Sequence, residues 1–120
     1  MKRIFVWDME AASRSAMERF LRNRGFDVAA IDRSSGIERT LEREDWDLLF
    51  ADPSPAVSDF VEVLVRVSRA RPELPIFLVT YYGKHEDEIT RLRPVCRHIF
   101  EKPVNLRQVD DALDKVFSGA

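Results

Sequence analysis

Cysteine is nearly absent from this sequence. A single thiol, Cys96, among 120 residues cannot close an internal disulfide, so the chain must hold together through a core, and the pattern suits a reducing compartment. Glycine is scarce too, at four residues, which argues against a fibrous or disordered chain. Long apolar runs are missing: the longest are four or five residues, and the opening "MKRIFVWDME" meets an acid almost at once. Neither a membrane span nor a signal peptide is present on that reading, and the chain is expected to stay in the cytoplasm. An excess of basic charge is lacking as well, since the formal net charge is -2, which gives no case for direct nucleic-acid binding. What is there is ordinary globular material, 45% apolar and 33% charged. A chain of this length fits one domain, residues 1–120, that buries roughly two thirds of its unfolded surface.

Short β-rich runs alternate with longer amphipathic stretches. The runs are Ile4 to Trp7, Val28 to Ile31, Leu48 to Ala51, Ile76 to Thr80 and His98 to Phe100. Those near 4, 48 and 76 are almost continuously apolar, as expected of strands covered on both faces. Between them, Ala16, Met17, Phe20 and Leu21 form i, i+4 pairs ahead of Gly25, a C-terminal stop. Ser35-x-x-Glu38 reads as a capping box before Ile37 and Leu41. Ser58 is placed to cap a third helix carrying Phe60, Val61, Leu64, Val65 and Val67, which ends before Pro72. Glu86 to Arg93 predicts a short fourth helix with acids first and arginines last. Asn105-x-x-Gln108 starts the fifth, with Val104 and Val109 as a staple and Val109, Leu113, Val116 and Phe117 on one face. The Arg66 to Arg71 stretch reads as a solvated helix end, and His85 and His98 show no metal-pair spacing.

Strands separated by helices imply βαβ units and a mostly parallel sheet, in which ligands sit beyond the carboxyl ends of the strands. The residues there are Asp8, Asp52, Thr80 and the pair Lys102-Pro103. Each alone is an ordinary turn former or cap. Together they form a chemically coherent set, because carboxylates hold Mg²⁺, a carboxylate can attack phosphorus, and a hydroxyl and an ammonium stabilise phosphoryl oxygens.

With those residues in view, the chain resembles the receiver domain of bacterial two-component response regulators. The likeness runs from "RIFVWDME" through "RNRGFDV", "DWDLLFADPSP" and "LPIFLVTYYG" to "HIFEKPVNLRQV", and the spacing from Asp8 to Gly25 also agrees. The resemblance implies an α/β flavodoxin-like (βα)5 fold, doubly wound, with strand order 2-1-3-4-5 and no output domain in this chain. It implies Asp52 as the phosphoacceptor for a sensor histidine kinase or phosphotransfer protein, with Thr80 and Lys102 acting on the phosphoryl group. Mg²⁺ is the implied cofactor, held by Asp8, Asp52 and the backbone carbonyl of Ser54, with Glu10 as a further candidate. A cis peptide before Pro103 and a downstream protein partner or output domain are implied as well. Many relatives pair through the fourth and fifth helices and their strands, so a homodimer is a further expectation.

The chain departs from the family pattern at several positions. Met9 stands where a second acid is usual, and a thioether is a poor ligand for a hard cation, so weakened Mg²⁺ binding is expected. Tyr81 follows Thr80 where alanine or glycine is usual, Ile99 replaces an aromatic residue, and Pro55 comes one position early. Two other readings remain open. One is a degenerate receiver that binds proteins without being phosphorylated. The other is a small phosphohydrolase of the haloacid dehalogenase type, which "IFVWDME" loosely resembles and which would need Glu10 as its second acid.

Overall fold

The computed structural model describes residues 1–32, 36–53, 59–81 and 86–118. Five strands, β1 (Arg3–Asp8), β2 (Asp27–Ile31), β3 (Leu48–Asp52), β4 (Ile76–Tyr81) and β5 (His98–Lys102), alternate with five helices. The helices are α1 (Ala11–Asn23), α2 (Ile37–Arg43), α3 (Phe60–Ala70), α4 (Glu86–Leu92) and α5 (Leu106–Phe117). All strand pairs are parallel, in the order β2-β1-β3-β4-β5. This is the parallel sheet that the alternating pattern predicts, in the doubly wound flavodoxin-like arrangement that the resemblance implies.

Burial explains the sequence pattern strand by strand. In β1, β3 and β4 nearly every residue is buried, whereas the edge strands β2 and β5 expose much of their length. Ile4 and Val6 of β1 face one core layer with Met17, Phe20 and Leu21 of α1 and Val109 and Leu113 of α5. Phe5 and Trp7 alternate to the opposite layer, against α2, α3 and α4; side chains one residue apart on a strand point to opposite faces. Trp46 packs edge-on against Phe5 with ring centroids 5.0 Å apart, at the entry to β3.

The helix ends follow from local chemistry. Gly25 has φ +88, and its N–H donates to the Arg22 carbonyl while the Phe26 N–H reaches the Leu21 carbonyl. Those two bonds form a Schellman stop, which needs the left-handed conformation that glycine adopts freely. Asn105 caps α5 as expected, its side-chain oxygen accepting from the N–H groups of Arg107 at 2.9 Å and Gln108 at 3.4 Å. The starts of α2 and α3 differ from expectation. Gly36, with φ 86, and Asp59 are their N-caps, and neither makes a side-chain cap bond. Ser35 and Ser58, expected to cap there, lie outside the described residues, as do Pro55 and His85.

Three expectations need correction. Ala16 is exposed, not part of the buried stripe of α1. In α3, Val63 is buried and Val65 only half-buried, because α3 is flanked by α2 and α4 as well as lying on the sheet. Arg71 also departs from a solvated helix end: its guanidinium donates to the carbonyl of Leu41 at 2.8 Å and more weakly to those of Glu44 and Trp46, while pairing with Glu73. It ties the end of α3 to the segment joining α2 to β3. Arg71→Ala is therefore expected to lower stability by about 1–3 kcal/mol by stripping carbonyls of their donor, measured as a fall in the thermal midpoint; an unchanged midpoint would show the bonds to be dispensable.

Candidate functional site

Parallel registry brings the rim together. Asp8 and Asp52 are register partners at the ends of β1 and β3, and Tyr81 and Lys102 are partners at the ends of β4 and β5. These residues end the strands themselves, one step earlier than the loops where the sequence pattern puts Asp8, Asp52 and Lys102. Alternation places all four on the α1 and α5 face, where they line one cavity. Asp8, Asp52 and Thr80 are the polar residues among the buried set.

Asp52 is 6% exposed. Its Oδ2 accepts an ion-paired contact from Lys102 Nζ at 3.1 Å, while its Oδ1 is buried with no hydrogen-bond partner among the described residues. Burial, reinforced by the negative charge of Asp8, pushes the Asp52 carboxyl up to about 6, against the opposing pull of Lys102. The attraction is reciprocal. Burial works against the Lys102 charge, but the hydrogen bond and charge of Asp52 leave the ammonium above its ordinary value. The Tyr81 ring lies against the same ammonium, 4.7 Å from Nζ to the centroid, a cation–π distance. The peptide between Lys102 and Pro103 is cis, as the resemblance implies.

Asp8 is differently placed. Its Oδ1 accepts the Glu10 N–H at 2.9 Å and its Oδ2 the Ser13 hydroxyl at 2.6 Å, and its carbonyl accepts from the Arg14 guanidinium at 3.0 Å. These bonds organise the turn from β1 into α1, since Glu10, the N-cap, makes no side-chain cap bond. Ser13 was invisible in the sequence because its role depends on where α1 begins. Glu10 lies exposed at the cavity rim, near enough for its charge to act on Asp52.

Thr80 is buried but alternates to the other face and does not line the cavity. Met9 packs against the α2–α4 layer, so it subtracts a carboxylate without putting its sulfur into the site. Ile99 is half-buried in that same layer. Cys96 is buried, and burial pushes its thiol up to about 12, a structural and unreactive group. Ser54 and Tyr82 lie outside the described residues.

Among the described residues no three His, Cys, Asp or Glu side chains gather closely enough to hold a metal. Mg²⁺ usually keeps several waters and takes one or two carboxylates. The orphaned Asp52 Oδ1, with the second lone pairs of the Asp8 oxygens, meets that need at its lower limit. The residues therefore fit the cation, with a sparse donor set.

Among the described residues no helix is long and apolar enough to cross a membrane. Comparison with known proteins agrees with the architecture. The curated relatives include a DNA-binding transcriptional regulator, NtrC, of Rhizobium meliloti, 29% identical over 106 residues, which are 88% of this chain and 22% of that protein. The chain thus spans under a quarter of that relative. It matches all of the response regulator receiver protein CpdR of Brucella abortus, with 23% identity over 100% of both chains. Among solved structures, a two-component response regulator from Clostridium difficile superimposes with a TM-score of 0.86 at 15% identity, covering 99% of this chain and 98% of the other. The regulator TrrA of Thermotoga maritima, solved in complex with Mg²⁺ and BeF, gives 0.83 at 20% identity over 98% and 100%. A family model for the response regulator receiver domain matches residues 4–114, nearly the whole of the fold and every rim residue described above. The chain belongs to the receiver domain family of two-component response regulators.

Proposed function

We propose that Asp52 accepts a phosphoryl group from a phosphohistidine donor and that the acyl phosphate alters which protein the domain binds. The observation that carries this reading is the divided state of the Asp52 carboxylate: Lys102 holds Oδ2, while Oδ1 is buried and without a hydrogen-bond partner among the described residues, on a side chain that lines the cavity. In the step proposed, Oδ1 attacks phosphorus, the bond from phosphorus to imidazole nitrogen breaks, and the imidazole leaves with that electron pair and takes up a proton. Lys102 then turns its charge to the phosphoryl oxygens that form beside it. Burial and the nearby negative charge of Asp8 keep the nucleophile protonated below about pH 6, so phosphorylation should rise with pH through that region. When bound, Mg²⁺ would be held by Asp52 and Asp8 and would offset negative charge on the phosphoryl oxygens. Thr80, buried next to Tyr81 on β4, would have to reorient to reach the group, which supplies the two arrangements that a partner distinguishes.

The donor proposed is a sensor histidine kinase or phosphotransfer protein, acting in the cytoplasm, and the reader a downstream protein or output domain. The degenerate alternative keeps a specific observation in its favour, since Met9 is turned into the opposite layer and Tyr81 packs on Lys102. The haloacid dehalogenase likeness is superseded by the family membership. The test is incubation with a small phosphoramidate donor across a range of Mg²⁺ concentrations. A base-labile gain of one phosphoryl mass supports the proposal, and none at any concentration supports the degenerate reading.

Met9→Asp should show opposite effects on binding and folding. A carboxylate restored near the site is expected to tighten Mg²⁺ about tenfold, while removing Met9 from the apolar layer costs about 1–2 kcal/mol. Calorimetric titration and thermal unfolding read the two separately. Calorimetry is a better probe of the metal than tryptophan emission, because Trp7 lies in the layer opposite Asp8 and Asp52. Unchanged Mg²⁺ affinity would show that Met9 is not what limits the site.

A further inference from the structure

The phosphoryl chemistry uses only one end of the cavity. The whole space is about 390 Å³, within the size that holds a small organic molecule, and the rest of it is apolar. Its floor is Val6, Phe50 and Val79, all buried strand residues. Met17 and Ala16 of α1 form one wall, and Val104 with Leu106 at the start of α5 the other. Leu106 is 46% exposed, the one large apolar side chain besides Met1 so exposed among the described residues. A phosphoryl group gains nothing from such walls.

The polar end carries Asp8, Glu10 and Asp52 against the single ammonium of Lys102, so the lining has an excess of negative charge. Asp8 is satisfied locally by Glu10 and Ser13, and Lys102 is committed to Asp52 Oδ2. That leaves Asp52 Oδ1, on a side chain more than nine-tenths buried, without a donor among the described residues. A buried acceptor left unpaired costs free energy that an incoming donor recovers.

We infer that this cavity binds a small organic monocation, a primary ammonium or amidinium on an apolar body of about phenyl size. The cation pairs with the Asp52 carboxylate, which shifts to offer its unpartnered oxygen, and faces Glu10, and the body lies against Met17, Val79, Val104 and Leu106. Neutral and anionic molecules of the same shape lack the complementary charge, and Mg²⁺ competes because it seeks the same oxygens. The site requires no phosphorylation of Asp52, so its failure and that of the phosphoacceptor reading are separately visible.

The test is titration of the full chain with 2-phenylethylamine, 2-phenylethanol and phenylacetate, followed by methyl NMR of Ala16, Met17, Val79 and Val104. The amine is expected to saturate shifts at these methyls and to bind at least about tenfold more tightly than the alcohol. Millimolar Mg²⁺ should weaken the amine, Asp52→Asn should bring it to the alcohol's level, and Leu106→Ser, at an exposed position, should weaken it several-fold. Binding of the alcohol or the carboxylate as tightly as the amine would overturn the inference, as would the absence of shifts at these four residues.

Discussion

Asp52→Asn should unfold at a higher temperature than the wild-type chain at about pH 7.5 in magnesium-free buffer, although it removes the central residue of the site. The carboxyl is pushed up to about 6 in the folded protein by burial and by Asp8, against roughly 3.9 in an unfolded chain. An acid whose folded value is raised contributes stability in full below about pH 4, and that contribution is lost as pH rises through about 6. Above that pH the folded state carries a charge it holds reluctantly. The shift corresponds to about 3 kcal/mol. An amide escapes this cost, but it leaves Lys102 without its anionic partner, so a net gain of about 1–2 kcal/mol is expected. Denaturant midpoints across pH read the effect directly. The gain should be present above about pH 6 and disappear below about pH 4; a variant less stable than wild type at every pH would mean that Lys102 outweighs burial.

Lys102→Met has the opposite sign and the larger consequence. Lys102 is the cation within 3.1 Å of Asp52 Oδ2, with side chains 16% and 8% exposed. Removing it leaves Asp52 near Asp8 with no counter-charge, which pushes the carboxyl further up. At about pH 8 the variant is expected to lose about 2–4 kcal/mol, because breaking one side of a buried pair strands the other. The loss should shrink below about pH 6, where Asp52 is already neutral in the wild-type protein and has little charge for Lys102 to pair with. Phosphorylation should fall by about a hundredfold or more, the usual scale for removing one group that stabilises developing charge. A Lys102→Arg variant separates charge from shape: it keeps the stability but points a planar fork where Nζ stood. Equal loss of stability at both ends of the pH range would show that packing against Tyr81, not the ion pair, is what Lys102 supplies.

The strands were legible because the three central ones are covered on both faces and so read as unbroken apolar runs, and their carboxyl ends could be inspected for chemistry without knowing the order. Asn105 and Gly25 announced their helix boundaries through side-chain and backbone chemistry that operates within a few residues. Contacts between distant segments were not legible in this way. The three carbonyls reached by Arg71 lie 25 to 30 residues away, and nothing local distinguishes that arginine from Arg66, which pairs on the surface with Glu38. The placing of Tyr81 on Lys102 follows from strand register, and the face on which Thr80 and Met9 fall follows from alternation only once the strand ends are known. The cavity is the least legible feature. Its walls come from four strands and two helices, and residues such as Ala16 and Leu106 look like an ordinary stripe and an ordinary helix start until they are seen around one space.

The most direct measurement of the central claim is to map the phosphorylated residue. The chain is treated with a phosphoramidate donor and Mg²⁺, the acyl phosphate is reduced with borohydride, and the modified position is located by peptide mass spectrometry. The account predicts homoserine at position 52 and no modification in Asp52→Asn. Modification at Asp8, or labelling that persists in Asp52→Asn, would contradict it.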